Sequence, residues 1–286
     1  MTVTLGTGPL SHHDLIDIAR FNAAIELDTA AVEAVAKTRE AIDALASDPE
    51  PHYGISTGFG ALATQFIPDD MRVQLQKSLV RSHAAGSGPE IEREVIRGLM
   101  AQRLSTLMTA RTGARPVVVE TYAAMLNAGI TPIVREYGSL GCSGDLAPLS
   151  HCALALMGEG DVRDAHGTAM SAADAFAAAG IQPVELREKE GLALINGTDG
   201  MTGMLVLAIH DLRHLLRVAD ISVSLTLEGL RGNAAVFADE HELADAIRRA
   251  LAEREQFARA GLERARLFSW DETARRTLEV YREVIG

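Results

Sequence analysis

The stretch Gly138-Ser139-Leu140-Gly141-Cys142-Ser143-Gly144-Asp145-Leu146-Ala147-Pro148-Leu149-Ser150-His151 decides how this chain is organised. Small residues fill its middle, and three glycines within seven residues let the backbone bend sharply or approach another backbone closely. Ser143-Gly144-Asp145 supplies an N-cap for the apolar run from Leu146 to Met157. Pro148 fits the first turn of that run, where no intrahelical donor is lost. The sequence therefore predicts a glycine-rich loop followed at once by an apolar helix.

The composition is typical of a folded, soluble protein. The chain has 286 residues, of which 47% are hydrophobic, and this is enough for a substantial core. It carries 27 Lys and Arg against 39 Asp and Glu, and the net charge of −12 disfavours nucleic acid and anionic membranes as partners. There are two cysteines, no signal-peptide pattern at the start and no apolar run of about 18 residues. We therefore expect a cytoplasmic protein without a membrane span.

The spacing of apolar residues and helix caps predicts a mainly α-helical fold. Helices are expected after a cap at Ser11 and over residues 29–45, 71–85, 89–112, 117–128, 146–157, 171–179 and 200–232. The last of these is so apolar that a buried helix is expected. Short strands are expected at residues 2–5, within residues 130–165 and at residues 192–196.

Residues 52–60 form a second glycine-rich segment, in which three glycines flank Tyr53 and Phe59. One interpretation is a set of turns with the two aromatic rings as core plugs. The other is a loop that brings the Tyr53 phenol to a ligand, where a tyrosinate with a lowered pKa could act as a base.

Two other segments allow similar alternatives. His83 ends a predicted helix and is either a partner of the helix dipole or a pocket residue. Asn196-Gly197 is most simply a turn. No metal site is predicted, because the neighbouring His12 and His13 would point about 100° apart on a helix.

Four motifs in order resemble the histidine and aromatic amino-acid ammonia-lyase family, which also includes aminomutases. They are Tyr53-Gly54-x-x-Thr57-Gly58-Phe59-Gly60, Leu75-Gln76-x-x-Leu79-Val80-x-Ser82-His83-x-x-Gly86, Gly141-x-Ser143-Gly144-Asp145-Leu146-x-Pro148-Leu149-x-His151 and Lys189-Glu190-Gly191-Leu192-Ala193-Leu194-x-Asn196-Gly197-Thr198. One such motif would be weak, but four in register are specific. The resemblance covers about residues 1–238.

The resemblance implies a mainly helical, ammonia-lyase/fumarase-like fold with a small α+β N-terminal part that holds a prosthetic-group loop. It implies that Cys142, Ser143 and Gly144 form a methylidene-imidazolone autocatalytically, when the Gly144 nitrogen attacks the Cys142 carbonyl and two waters are lost. The residue types suit this chemistry, since Gly144 offers an unhindered nitrogen and Ser143 carries the β-hydroxyl whose elimination leaves an alkene.

The resemblance also implies the roles of site residues. Tyr53 would remove the β-proton of an α-amino acid, and Asn196 would hydrogen-bond the prosthetic group. Ser82, His83 and Gly60 would bind the substrate, and the Ser-His pair is similar to the histidine-specific branch. Some tyrosine aminomutases share this pair, so the substrate and the choice between lyase and aminomutase stay open.

The sequence departs from the family's pattern just after Asn196 and again near residue 238. Asp199 stands where Gln is usual, which is expected to change hydrogen bonding near Asn196. Residues 239–286 resemble the C-terminal helices of a retaining glycosyltransferase, although they contain no nucleotide or phosphate site. The predicted domains are residues 1–199 with the prosthetic group, 200–238 as the start of a central helical bundle, and 239–286 as a tail.

Two functions follow from this organisation. The first is an ammonia-lyase that acts as a homo-oligomer, a tetramer in the family, with the helix at residues 200–232 packed against a partner chain. The second is a catalytically impaired lyase-fold remnant or chimera that serves as a structural or interaction module. The second arises because complete family members continue through a helical half that supplies an Arg for the substrate carboxylate.

Overall fold

The computed structural model describes residues 1–140 and 144–232, together with the single residues 248, 252 and 275. Cys142, Ser143 and nearly all of the predicted tail at 239–286 lie outside the described residues. The chain divides into two compact units, Met1–His214 and Leu215–Gly286. The domain boundaries expected after residues 199 and 238 stay predictions.

Helices dominate the described part of the chain, as the sequence predicts. In chain order the elements are β1 (Thr2–Leu5), α1 (His12–Phe21), β2 (Ala24–Leu27), α2 (Thr29–Ala46), a 3-10 turn (Gly60–Leu62), α3 (Asp69–His83), β3 (Ser87–Glu90), α4 (Arg93–Met108), α5 (Pro116–Asn127), β4 (Thr131–Pro132), β5 (Arg135–Tyr137), α6 (Leu146–Leu156), β6 (Asp161–Arg163), β7 (Ala169–Ser171), α7 (Ala172–Ala179), α8 (Glu190–Ile195) and α9 (Asp199–Gly229).

Local sequence signals explain several of these boundaries. The Ser11 side chain accepts a hydrogen bond from the Asp14 nitrogen and caps α1, as expected. Ser171 caps α7 in the same way, and Gly180 ends that helix in the left-handed conformation. Pro116 occupies the first turn of α5.

The strands form three small sheets within the described residues. Strands β1 and β2 are parallel, β3 and β5 are antiparallel, and β4, β6 and β7 form an antiparallel sheet in the order β4-β6-β7. Asn127 secures β2 from the end of α5, since its side chain exchanges two hydrogen bonds with the Ile25 backbone. The strands remain a minor part of the fold.

Helix α4 lies at the centre of the core. It packs against α1 and α5, while α3, α6 and α8 pack against one another. Gly98 and Gly203 allow α4 and α9 to approach closely, because a methyl group on Gly203 would lie 3.0 Å from the Gly98 carbonyl carbon. The largest buried side chains are Arg97, Arg103, Tyr122, Phe176, Leu15, Ile18, Ile96, Leu99, Met100, Leu104, Leu107 and Met108.

Two secondary-structure predictions are wrong. Residues 87–90 were expected to lead into a helix from residue 89, but they form β3, and α4 begins only at Arg93. Strand pairing with β5 and a hydrogen bond from the Ile91 nitrogen to the Val134 oxygen outweigh the local helix signal. Residues 192–196 were expected to form a strand but belong largely to helix α8, because the buried Glu190 organises the start of that helix.

The apolar segment at residues 200–232 is largely helical, as expected, and in the single chain most of this helix is exposed, so its burial against a partner chain stays a prediction. Its buried residues within α9 lie near the start of the helix and end at Leu207. Its exposed apolar side chains are Met204, Leu205, Leu212, Leu215, Leu216, Val218, Ile221, Val223 and Leu225. Helix α9 therefore presents a large exposed apolar surface.

The expectation that no segment is long and apolar enough to span a membrane is also wrong. The helical stretch Glu190–Gly229 contains an 18-residue window with a mean hydropathy of 1.5, of which 44% is buried. The core helix of a soluble protein passes the same test, so this stretch by itself is weak support for a membrane span.

Candidate functional site

Asp145 joins the glycine-rich loop to helix α6, but not through the predicted side-chain cap. It occupies the N-cap position, yet its carboxylate makes no capping hydrogen bond. The buried carboxylate instead accepts hydrogen bonds from the Ser139 hydroxyl at 2.7 Å and from the Met201 nitrogen at 3.0 Å. Asp145 therefore fastens the downstream end of the loop to the start of α9.

Asn196 lies beside this end of the loop. A methyl group on Gly144 would lie 3.5 Å from Oδ1 of Asn196 and 3.8 Å from the Gly197 nitrogen. The Asp145 nitrogen also donates to the Gly197 oxygen at 2.7 Å. The segment that would contain the prosthetic group thus ends against a hydrogen-bonding side chain and a peptide nitrogen. This arrangement fits a methylidene-imidazolone formed from residues 142–144.

Tyr53 and Phe59 have different environments in the second glycine-rich loop. Phe59 packs partly buried against the main core, as a core plug would, whereas Tyr53 is 50% exposed. The two rings meet edge to face with centroids 6.1 Å apart, and the Gly60 nitrogen donates to the Tyr53 hydroxyl at 3.5 Å. The accessible phenol suits the ligand-binding interpretation of the loop.

Gly54 shows why this loop needs glycine. Its φ is +71°, in the region that favours glycine. A methyl group there would lie 3.0 Å from the Phe59 ring and 3.2 Å from the Leu192 side chain. The loop consequently lies directly against α8, the helix that ends at Asn196.

His83 lies in the last turn of α3, as expected. Its Nδ1 is 2.9 Å from the Leu79 carbonyl oxygen, which can only accept, so Nδ1 carries the proton. The Ser82 hydroxyl also donates to this oxygen, at 2.9 Å. In the neutral ring Nε2 is then the acceptor. The hydrogen bond between His83 and Leu79 lies at the C-terminal end of α3. Because it occupies Nδ1, it leaves Nε2 of His83 as the nitrogen that a ligand would meet.

The structure brings some of the predicted site residues together. Asn196 lies beside Gly144, and Tyr53 lies beside Gly60. Helix α8 links these two pairs, because Leu192 lies under the Tyr53 loop and Asn196 follows the end of the helix. Helix α3, which ends at His83, packs against α6 and α8. Cys142 and Ser143 lie outside the described residues.

Two buried polar centres that were not expected from the sequence hold this framework. The first is the ion pair between Arg103 of α4 and Asp199 of α9. Arg103 also donates to the Ala193 oxygen at 3.2 Å, and Asp199 accepts from the Thr106 hydroxyl at 2.9 Å. Each member of the pair had a signal in the sequence, since Arg103 lies between the apolar residues Met100 and Leu104 of α4, and Asp199 replaces the usual Gln.

The second centre is Glu190 at the start of α8, which is completely buried. One carboxylate oxygen accepts from the Arg115 nitrogen and Nε, and the other from Arg115 Nη2 and the Arg187 nitrogen. The hydrogen bond to Glu190 raises the pKa of Arg115 above its usual value. Glu190 thereby fixes the beginning of the helix whose end leads into Asn196.

Nearby in the core, Tyr122 and Cys152 are buried and electrically neutral. Burial raises the pKa of the Cys152 thiol to about 12 and the pKa of the Tyr122 hydroxyl well above its usual value. Neither group is therefore a nucleophile or base at neutral pH.

Comparisons with known proteins identify the family of this chain. A family model described as aromatic amino acid lyase matches residues 10–260, which extends beyond the boundary near residue 238 expected from the motifs. Histidine ammonia-lyase from Streptomyces griseus is 59% identical over 239 residues, which are 84% of this chain and 46% of that protein. MIO-dependent tyrosine 2,3-aminomutase from Streptomyces globisporus is 42% identical over 229 residues, covering 79% of this chain and 42% of that one.

A solved structure shows the same fold. The crystal structure of tyrosine aminomutase from Streptomyces globisporus matches with a TM-score of 0.76 and 38% identity, and covers 81% of this chain and 43% of that chain. The mainly helical, lyase-type fold expected from the motifs is thereby confirmed. The chain spans about half the length of the curated relatives it matches.

Proposed function

Because the chain belongs to the aromatic amino acid lyase family, we propose that it is an ammonia-lyase that eliminates ammonia from histidine or a related aromatic L-amino acid. The observation that carries this proposal is the position of the Asn196 side chain beside Gly144, at the end of the predicted Cys142-Ser143-Gly144 group. The 59% identity to a histidine ammonia-lyase supports histidine as the substrate.

The chain's own residues suit a prosthetic group in the loop before α6. When formed, the methylidene-imidazolone supplies an electrophilic alkene. Asn196 would hydrogen-bond it, and the hydrogen bond from the Asp145 nitrogen to the Gly197 oxygen holds the adjoining backbone. The N-terminus of α6 lies just downstream and adds positive potential where negative charge develops.

Tyr53, Gly60, Ser82 and His83 have proposed roles around the substrate. The half-exposed Tyr53 phenol is the proposed base for the β-proton. His83 would meet the substrate side chain through Nε2, since Leu79 occupies Nδ1. Ser82 would support that ring orientation, since its hydroxyl oxygen lies 3.1 Å from His83 Nδ1, and the exposed Gly60 backbone borders Tyr53.

The prosthetic group is tested first, on the full chain. The purified protein should be lighter than its sequence by two water molecules and should show near-ultraviolet absorbance. Both signals should be absent from Ser143→Ala. A mass equal to that of the unmodified sequence would overturn the proposal.

The reaction is tested next, with histidine, tyrosine and phenylalanine as substrates. We expect ammonia release from histidine, lost in Tyr53→Phe while the two-water mass difference is kept. A β-amino acid product instead of ammonia would identify an aminomutase. A modified protein that releases no ammonia and forms no β-amino acid would favour the alternative, a catalytically impaired lyase-fold chain that acts as an interaction module.

The remaining proposals concern the molecule as a whole. We propose a soluble, cytoplasmic homo-oligomer in which the exposed apolar side chains of α9 pack against a partner chain. The resemblance of residues 239–286 to the end of a glycosyltransferase, and the three predicted domains, also stay proposals. Light scattering of the purified chain measures the oligomeric state, and a monomer would contradict the first of these.

A further inference from the structure

We infer that Arg103 and Asp199 are positioning residues that hold Asn196 against Gly144. The inference rests on the proposed function, because Asn196 matters only if residues 142–144 form the prosthetic group. It concerns residues that make no contact with the predicted base or with the predicted substrate-binding residues. The pair acts through the backbone on either side of Asn196.

Arg103 contacts three residues in and around the turn that contains Asn196. Its Nη1 donates to the Ala193 oxygen in α8, before the turn, and its Nη2 pairs with Asp199 after the turn. Its guanidinium lies so close to Gly197 that a methyl group on that residue would overlap both Arg103 and Asp199. Residues on both sides of Asn196 are therefore fixed by one side chain.

The anchor itself is rigid. Arg103 is 1% exposed and projects from α4, the central helix of the core. Asp199 is also buried, and its second carboxylate oxygen accepts from Thr106, one turn further along α4. A guanidinium held in a fixed fork keeps several hydrogen-bond directions at once, which a lysine ammonium on a flexible stem does not.

The turn at Asn196 also supports the glycine-rich loop that precedes α6. The Gly197 oxygen accepts from the Asp145 nitrogen, and the Asp145 carboxylate accepts from the Met201 nitrogen in α9. Movement of the turn would therefore shift Asn196 and loosen the backbone next to Gly144 together. Since ring formation depends on the placement of the Gly144 nitrogen, we expect it to respond to the Arg103–Asp199 pair.

A purely structural role is the competing explanation, and Arg97 provides the matched control. Arg97 lies on the same helix, is also 1% exposed and also donates to backbone carbonyls, those of Ile18 and Leu126. Those carbonyls lie outside the predicted site. Arg103→Lys and Arg97→Lys should both destabilise the protein, because each removes guanidinium hydrogen bonds to buried backbone carbonyls. Only Arg103→Lys should change ring formation and the hydrogen exchange of the turn.

The experiment measures two quantities on the soluble, folded full chain. The first is the fraction that has lost two waters, by intact mass. The second is hydrogen exchange of the amides at residues 145 and 196–201. In Arg103→Lys we expect most chains to keep the unmodified mass and exchange to be roughly tenfold faster or more. A lysine cannot keep the hydrogen bonds to Ala193 and Asp199 together, and the loss of one hydrogen bond from a charged group exceeds the free energy of a tenfold change. Arg97→Lys should match the wild type in both.

The outcomes separate this inference from the proposed function. Full loss of two waters and unchanged exchange in Arg103→Lys would overturn the inference and leave the proposed function intact. An unmodified wild type would overturn the proposed function, while the exchange arm would still decide whether the pair holds the turn. If Arg103→Lys does not fold, Asp199→Asn replaces it, because the Asn oxygen still accepts from Thr106 while its NH₂ group, which cannot accept, is turned toward Arg103 and breaks the pair.

Discussion

Replacing Glu190 by Gln should strongly destabilise the protein, although the two side chains have nearly the same shape. The carboxylate is completely buried and accepts four hydrogen bonds, three of them from Arg115 and one from the Arg187 nitrogen. Each carboxylate oxygen receives two of these bonds. A glutamine can place its oxygen at only one of the two positions and must point its NH₂ group at donors from the other.

The magnitude follows from this geometry. Two hydrogen bonds are lost whichever way the amide is turned, and bonds to charged groups contribute about 1.5 to 3 kcal/mol each. Arg115 also loses its counter-charge, but its side chain is 29% exposed, so water offsets part of this loss. The two lost hydrogen bonds therefore set the magnitude, and we expect Glu190→Gln to lower the free energy of unfolding by about 3 kcal/mol or more.

Urea denaturation followed by far-ultraviolet circular dichroism measures this loss. Glu159→Gln is the matched control, because Glu159 also accepts two hydrogen bonds from one arginine, Arg81, but on the surface. Exposed pairs contribute little, so no resolvable change is expected for the control. If Glu190→Gln unfolded at the same urea concentration as Glu159→Gln, the role assigned to Glu190 in fixing α8 would be wrong.

Three further predictions concern other parts of the molecule. Gly197→Ala should lower the free energy of unfolding by more than about 2 kcal/mol, because the new methyl group overlaps buried side chains. Gly8→Ala is the control, since Gly8 lies in open space, and it should change this free energy by less than about 0.5 kcal/mol. Equal losses in the two variants would contradict the close packing around Gly197. Burial lowers the pKa of His151, whose Nε2 accepts from the Gly86 nitrogen, so its contribution to stability is present above the unfolded pKa of about 6.5 and is lost as the pH falls. In His151→Gln the free energy of unfolding should accordingly fall less steeply as the pH is lowered. An unchanged pH profile would show that His151 does not contribute to the loss of stability in acid. Ile221→Asp, on the exposed apolar face of α9, should lower the mass measured by light scattering if that face covers a partner chain, whereas an unchanged mass would place the contact elsewhere.

Local patterns in the sequence determined most of the helices. The cap at Ser11, Pro116 in a first turn and the apolar run from Leu146 all act within a few residues of their own position, so the sequence alone reveals them. The four motifs also identified the family, because each combines unusual residue types in a fixed order. The resemblance implied that Asn196 hydrogen-bonds the prosthetic group; this role stays a prediction, and the structure places Asn196 beside Gly144.

The wrong or missing predictions concern places where residues far apart in the chain decide the secondary structure or form a buried contact. An apolar run such as residues 192–196 suits a strand or a buried helix equally well. Helix α8 forms because Glu190 meets Arg115, 75 residues away in the chain. The Arg103–Asp199 pair joins residues 96 positions apart, and no local periodicity encodes such a contact.

The sequence by itself therefore determined the family, the helical class and the residues of the glycine-rich loop that would form the prosthetic group. Only the tertiary structure decided how the turn at Asn196 is held beside Gly144. The physical reason is that helix caps and apolar spacing depend on neighbours in sequence, whereas a buried charge depends on whichever partner folding brings to it.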